Sequence, residues 1–159
     1  MYEIHTNKII VINASTFQNF RNNLKRTREK ERHKTIGFTS TDDELNRKIL
    51  EKEKVDIFMP LLANRKDFQK QRNSGFNHVL AKIAKKNNVI IGINLDEIAK
   101  SEVKEKANLL ARIKQNIRLC NKNKLKMRFV FSDKNKREIH DLKALGLVLA
   151  MPTWMTKSL

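Results

Sequence analysis

The sequence predicts an α/β domain with about five parallel strands, and three observations carry that expectation. Short apolar, β-branched runs alternate along the chain with segments whose apolar residues recur at helical spacing. At the centre, residues 72–95 read RNSGFNHVLAKIAKKNNVIIGINL, an amphipathic helix feeding straight into a buried strand, which is half of a βαβ unit. Only two prolines and four glycines occur in 159 residues, with no low-complexity linker and no internal repeat beyond the strand–helix alternation. A single domain over residues 1–159, large enough to bury a real core, is therefore expected.

Taken in order, Lys8 to Asn13 (KIIVIN) is the first strand. Ser15 followed by Gln18 has capping-box spacing and starts a helix whose narrow apolar face is Phe17, Phe20 and Leu24. Its tail, Lys25 to Lys34, is mostly charge and extends toward solvent. Thr35 to Thr39 is a second strand. Thr41 and Glu44 form another capping box, and Leu45 with Ile49 anchors a helix ending near Glu53. Val55 to Pro60 is a third strand, with Pro60 where the ladder ends.

Leu61 to Asn73 is a polar, basic loop. The central helix follows, capped by Ser74 or Asn73, with the apolar stripe Phe76, Val79, Leu80, Ile83 and Ala84. Asn87-Asn88 supplies a left-handed stop, and Val89 to Ile93 is a strand covered on both faces. Ser101 caps a long helix with Val103, Ala107, Leu110, Ile113, Ile117 and Cys120 on its buried line. Met127, Phe129 and Phe131 alternate with Arg128 and Val130 in a fifth strand, and Asp133 to Leu145 closes the chain as a helix.

Charge narrows the partner class. Lys and Arg number 34 against 17 acidic residues, a formal net charge of +17. A surplus of that size repels itself and calls for a polyanion, nucleic acid first among them. Three basic groups stand out: the loop with Arg65, Lys66, Lys70 and Arg72; the helix face His78, Lys82, Lys85 and Lys86; and Arg112, Arg118 and Lys122 together with Lys124, Lys126, Lys134, Lys136 and Arg137. Together such groups displace counterions from phosphates, the effect that contributes most to nucleic-acid affinity. With few aromatics expected at the surface, backbone and shape recognition of structured RNA suits the pattern better than a stacking platform.

The single cysteine, Cys120, excludes an internal disulfide, and a reducing, cytoplasmic setting is expected. No apolar run approaches the roughly 20 residues that cross a bilayer, and the opening MYEIHTNKIIVINAS does not read as a secretory signal.

Signs of catalysis are sparse. His5, His33, His78 and His140 form neither an HxH nor an HExxH pattern, and no Gly-rich phosphate loop is visible. Asp56, Asn94, Asp96 and Asp133 fall near predicted strand ends, where a barrel enzyme would hold metals, but caps and loop contacts explain them as well. No metal site is assigned. His78, one turn before Lys82, can meet a phosphate or a base, or donate to a backbone carbonyl. Phe76 reads as core.

The segment SGFNHVLAKIAKKNNVIIGINL resembles the centre of the archaeal and eukaryotic ribonuclease P protein component 3 family. KVDIFMPL before it, KANLLARIKQNIRLCNKNK after it and RFVFSDKNK toward the end point the same way, over residues 54–150. The resemblance implies a (β/α) barrel. A closed one typically needs about 250 residues, so a reduced or incomplete (β/α) barrel-like fold is expected.

The resemblance further implies a non-catalytic subunit of ribonuclease P, working with the catalytic RNA and protein component 2, and indirectly with precursor tRNA. Magnesium would sit on the RNA and no cofactor on the protein. Arg65, Arg72, His78, Lys82, Arg112, Arg118, Lys134 and Arg137 are then the expected RNA contacts. The alternatives are a stand-alone barrel-type phosphoesterase or nuclease, and a generic structured-RNA-binding protein.

Overall fold

Six strands form one sheet in the order in which they occur in the chain. In a computed structural model, which describes residues 2–4 and 9–159, they are β1 (Tyr2–Ile4), β2 (Ile9–Asn13), β3 (Thr35–Thr39), β4 (Ile57–Phe58), β5 (Ile90–Asn94) and β6 (Met127–Val130). β2 to β6 pair parallel, in the register Val11↔Gly37↔Ile57↔Ile90, with Ile91↔Met127 at the last step. These are the five parallel strands expected from sequence. β1 adds a sixth, antiparallel to β2, that the pattern did not reveal. Lys8, where the first strand was expected to begin, His5 and the side chain of Asp133 lie outside the described residues.

The crossovers are α1 (Phe17–Lys30), α2 (Asp43–Lys52), α3 (His78–Lys86), the pair α4 (Leu95–Lys100) and α5 (Val103–Asn123), and, after β6, α6 (Ile139–Val148) and α7 (Thr153–Thr156). Strand residues Ile12, Ile36, Phe38, Phe58, Ile91 and Phe129 share one core cluster with Phe20 and Leu24 of α1, Ile49 of α2, Leu80 of α3, Ile113 of α5, Leu142 of α6 and Met155 of α7. All the large helices therefore pack on one face of the sheet. Helices on one face and strands in chain order are the arrangement of a (β/α) barrel segment. A doubly wound sheet would reverse its order and carry helices on both faces.

The opposite face holds a small, separate cluster of Ile9, Val11, Ile57, Met59 and Val130. Gly37 and Gly92 sit in the same face, and their neighbours' side chains lean over them: Ile9 and Val11 over Gly37, Met59 and Ile57 over Gly92. Alternating small and large residues is how a curved sheet fills its concave side. β1 and β6 are the edges of the sheet among the described residues.

Several helix starts differ from the sequence reading, for one physical reason. Where several short polar residues stand close together before a helix, any of them can cap, and packing selects. Thr16, not Ser15, accepts the Asn19 N–H at 3.2 Å. Asp42, not Thr41, accepts from Glu44 and Leu45. Asn77, not Ser74 or Asn73, accepts from Leu80 at 3.0 Å. Ser74 is buried and its hydroxyl donates to the Phe76 carbonyl. Phe76 joins a file of rings, Phe20–Phe38–Phe58–Phe76, with centroids 4.8 to 6.3 Å apart. Val79, expected in the stripe, is exposed and Ala81 is buried in its place. Asn88 adopts the left-handed stop, with φ 55°.

The long helix departs most. Asn94 caps the short α4, which the sequence reading missed, and Ser101 donates to the Glu97 carbonyl instead of capping α5. The buried line of α5 is Leu109, Arg112, Ile113, Asn116, Ile117 and Cys120, while Val103 is 87% exposed. After β6 comes a 3-10 turn, Asp133–Asn135, and α6 starts only at Ile139 and carries Gly146 inside it. The charged tail of α1 is partly docked: Thr27 is buried and Arg28 donates to the Lys54 carbonyl at 2.9 Å. No helix among the described residues is long and apolar enough to cross a membrane.

Candidate nucleic-acid interface

Loops at the carboxyl ends of parallel strands share one edge of the sheet, and the longest of them joins β4 to α3. Its backbone has few partners of its own beyond the Phe68–Gln71 bridge, so side chains from the helices hold it. Glu97 of α4 accepts from the N–H groups of Leu62 at 2.9 Å and Ala63 at 2.6 Å. Arg112 of α5 donates to the carbonyls of Leu62 at 2.8 Å and Arg65 at 2.7 Å, and to Asp67 at 3.1 Å. Asp67 in turn accepts the Asn73 N–H at 2.8 Å.

Arg65 donates to the Leu61 carbonyl and pairs with Asp43 at 2.9 Å. Gly75, at φ +64°, packs against that guanidinium so closely that a Cβ would overlap it.

Two expected RNA contacts are thereby corrected. Arg112 is 3% exposed and belongs to the scaffold. The side chain of Arg65 is 10% exposed and is committed to Asp43 and the loop backbone. Both were counted as surface cations because charge on a helix or loop usually faces water. Here their planar five-donor forks serve the loop instead: Arg112 reaches the Leu62 and Arg65 carbonyls, and Arg65 reaches the Leu61 carbonyl and Asp43.

The remaining expected contacts, Arg72, His78, Lys82, Arg118, Lys134 and Arg137, are exposed. Arg72 lies on the pinned loop, 3.6 Å from Asp67, and its carbonyl accepts from Gln115. His78 opens α3 at the same edge, and Lys82 is one turn further along. Lys134 and Arg137 follow β6, also at this edge. Their segment is fixed by Asp96, which accepts from the Ser132 N–H at 2.9 Å, the Ser132 hydroxyl and the Asn135 amide. Arg118 stands on the outer side of α5.

The third basic group does not stay together. Lys124 and Lys126 precede β6 and lie at the opposite edge, where Lys85 donates to the Lys124 carbonyl at 2.9 Å beside a cleft of about 200 Å³.

Three of the four candidate ligands near strand ends have structural duties. Asp56 accepts the Ile36 N–H at 2.8 Å, Asp96 holds the Ser132 segment, and Asn94 caps α4. Among the described residues no three His, Cys, Asp or Glu side chains come together as a metal cluster. Cys120 is buried, and its thiol is pushed well above the ordinary range by burial. Sequence reasoning missed Glu97 and Asp67 as organisers and Phe68 as an exposed ring. The pattern of Phe68, a lone aromatic amid Lys66, Asp67, Gln69 and Lys70, was the available signal.

Two carboxyls in this network make opposite pH predictions. Burial raises Glu97 above the ordinary glutamate value, outweighing the N–H groups of Ala63 and Leu62. The folded protein thus holds that proton to higher pH than the unfolded chain. Its contribution is complete below the unfolded value of about 4.3 and shrinks as pH rises through the raised one. Asp67 is lowered, chiefly by the Asn73 N–H and against desolvation, with help from Arg112 and Arg72. Its contribution is present above the unfolded value of about 3.9 and is lost as pH falls through the lowered one. Denaturant titrations across acid pH should show Glu97→Gln removing a decline above about pH 4 and Asp67→Asn removing a loss below it. A slope unchanged by either substitution would contradict that assignment.

No family model matches the chain. Ribonuclease P protein component 3 of Methanococcus vannielii is 32% identical over 81 residues, which is 51% of this chain and 32% of that protein. The protein of the same name from Methanothermobacter thermautotrophicus is 28% identical over 113 residues, 71% of this chain and 43% of that protein. The family resemblance is to ribonuclease P protein component 3. A chain in the cryo-EM structure of archaeal ribonuclease P with mature tRNA has the same fold, with a TM-score of 0.74 at 24% identity. The match covers 94% of this chain and 62% of that one. The aligned regions thus span about a third to two-fifths of the curated component 3 proteins.

Proposed function

We propose that this chain is a non-catalytic protein subunit of ribonuclease P, which binds and stabilises the RNA that matures the 5′ end of precursor tRNA. The similarity to component 3 proteins carries the reading, and the surface agrees with it. Exposed Arg72, His78, Lys134 and Arg137 stand on loops or helix starts at one edge of the sheet, held by buried hydrogen bonds rather than by RNA. Such groups offset repulsion between packed RNA helices and lower the demand for magnesium, which stays on the RNA. The partners in this reading are the ribonuclease P RNA, protein component 2 and, through them, precursor tRNA, in the cytoplasm. For a protein partner, α6 offers apolar surface at Ile139, Leu147 and Val148.

The test is reconstitution of catalytic RNA and component 2, with and without this chain, scored for precursor tRNA cleavage at low magnesium. Cleavage should rise when the chain is present. No gain, together with equal affinity for unrelated structured RNAs, would make it a generic RNA binder. Within the complex, changing Arg72, Lys134 and Arg137 together to Gln should flatten the dependence of log affinity on log salt by about 2–3. An unaltered slope would remove those residues from the interface.

A further inference from the structure

A groove of about 300 Å³ lies between the start of α2, residues 68–77 of the pinned loop and the start of α3. Phe68 lines it and is 66% exposed; Val79 opposite is 46% exposed. A large apolar ring held out of the core in a loop this polar is informative, because exposing it forgoes burial that the fold could otherwise have used. Nor is the ring loosely tethered. The Phe68 N–H donates to the Gln71 carbonyl at 2.9 Å, and neighbouring Asp67 is bound to buried Arg112.

Phe76 and Leu80 form more of its apolar wall, and Arg47, Arg72, Gln71 and Asn77 supply its polar and basic groups. Its one acidic member, Asp43, is already bound by Arg65. Arg47 binds Glu51 through its Nε at 2.8 Å and Arg72 stands 3.6 Å from Asp67, so each keeps further N–H groups for a phosphate, and the groove combines these with an aromatic face and amide groups suited to a base edge.

We infer that this groove takes one unpaired nucleotide of RNA, its base stacked on Phe68 and its phosphate at Arg72 or Arg47. The inference deepens the RNA-binding reading and rests on it. Paired bases in an A-form helix keep their faces stacked on one another, so only a looped or bulged nucleotide can present one to the ring. The volume is at the lower end for small-ligand sites, which suits a single nucleotide and excludes a duplex. Two arginines and a neutralised carboxylate favour this occupant over an apolar peptide.

The experiment compares the full chain and its variants on two RNAs of equal length, a hairpin with an unpaired loop and a blunt duplex. Phe68→Ala should weaken hairpin binding by roughly tenfold, the usual effect of losing one base–aromatic stack, and leave duplex binding within about twofold. Phe68→Leu, apolar but without a ring face, should lose as much as Phe68→Ala, and Phe68→Trp should retain hairpin affinity.

Equal losses on both RNAs, full hairpin affinity in Phe68→Ala, or full affinity in Phe68→Leu would each overturn the nucleotide assignment alone. Phe68→Ala with intact RNA affinity but lost association with component 2 would give the groove to a protein and likewise overturn it. Failure of the unsubstituted chain to bind either RNA would overturn the RNA-binding reading as well.

Discussion

Replacing Arg112 with alanine should lower the free energy of unfolding by about 1–3 kcal/mol or more, the usual cost of leaving buried acceptors without a donor. The guanidinium is 3% exposed and bonds two carbonyls and Asp67, with Glu105 3.5 Å away. Its removal leaves the Leu62 and Arg65 carbonyls short of a donor and releases the loop from α5. Lysine should restore little, since one ammonium cannot span three acceptors arranged for a planar fork.

Denaturant melts give the stability. A salt titration of RNA binding on the folded variant gives the second readout, and its slope should match that of the unsubstituted chain. A stable Arg112→Ala variant with a flattened salt slope would mean that Arg112 reaches RNA after all.

Introducing valine at position 92 should cost about 1–3 kcal/mol or more, as overpacking in a close-packed interior does. A Cβ at Gly92 would lie 2.5 Å from Met59 Cγ and 3.0 Å from Ile57 Cγ2. At Gly37, on the same concave face, the nearest atoms would be 3.6 Å away, so Gly37→Ala should be tolerated far better than Gly92→Ala. Met59→Ala and Gly92→Ala should be coupled. The double variant should lose less stability than the two single losses added together, because the methyl group enters the space that methionine leaves. Strict additivity would show that curvature at β5 does not depend on this contact.

Element types were largely legible because periodicity is a local property of the chain. IIVIN, TIGFT and IIGI each lie on strands, and the 3.6-residue spacing of Leu45 with Ile49 and of Leu80 with Ala84 lies on helices. The stop at Asn87-Asn88 was also legible, since few residue types accept a left-handed conformation. β1 was not, because three residues show no usable alternation and its pairing partner supplies the order. The short helix α4 was not legible, because six residues carry little helical periodicity. It is set by Asn94 capping at the end of β5 and by Glu97 turning toward the loop. Of the candidate interface, the charge surplus was visible and its distribution was not.

By itself the sequence determined an alternating α/β chain, a net charge of +17, and the segment that resembles component 3 proteins. All of these follow from residue types and near-neighbour spacing. Only the tertiary structure decided that Arg65 and Arg112 turn inward while Arg72 and Phe68 turn outward, and that Lys124 and Lys126 part from Lys134 and Arg137. Whether a long charged side chain serves water, a backbone carbonyl or a ligand depends on groups up to 50 residues away in sequence, as between Arg112 and Leu62. Those groups meet only when the sheet curves and the helices close over one of its faces.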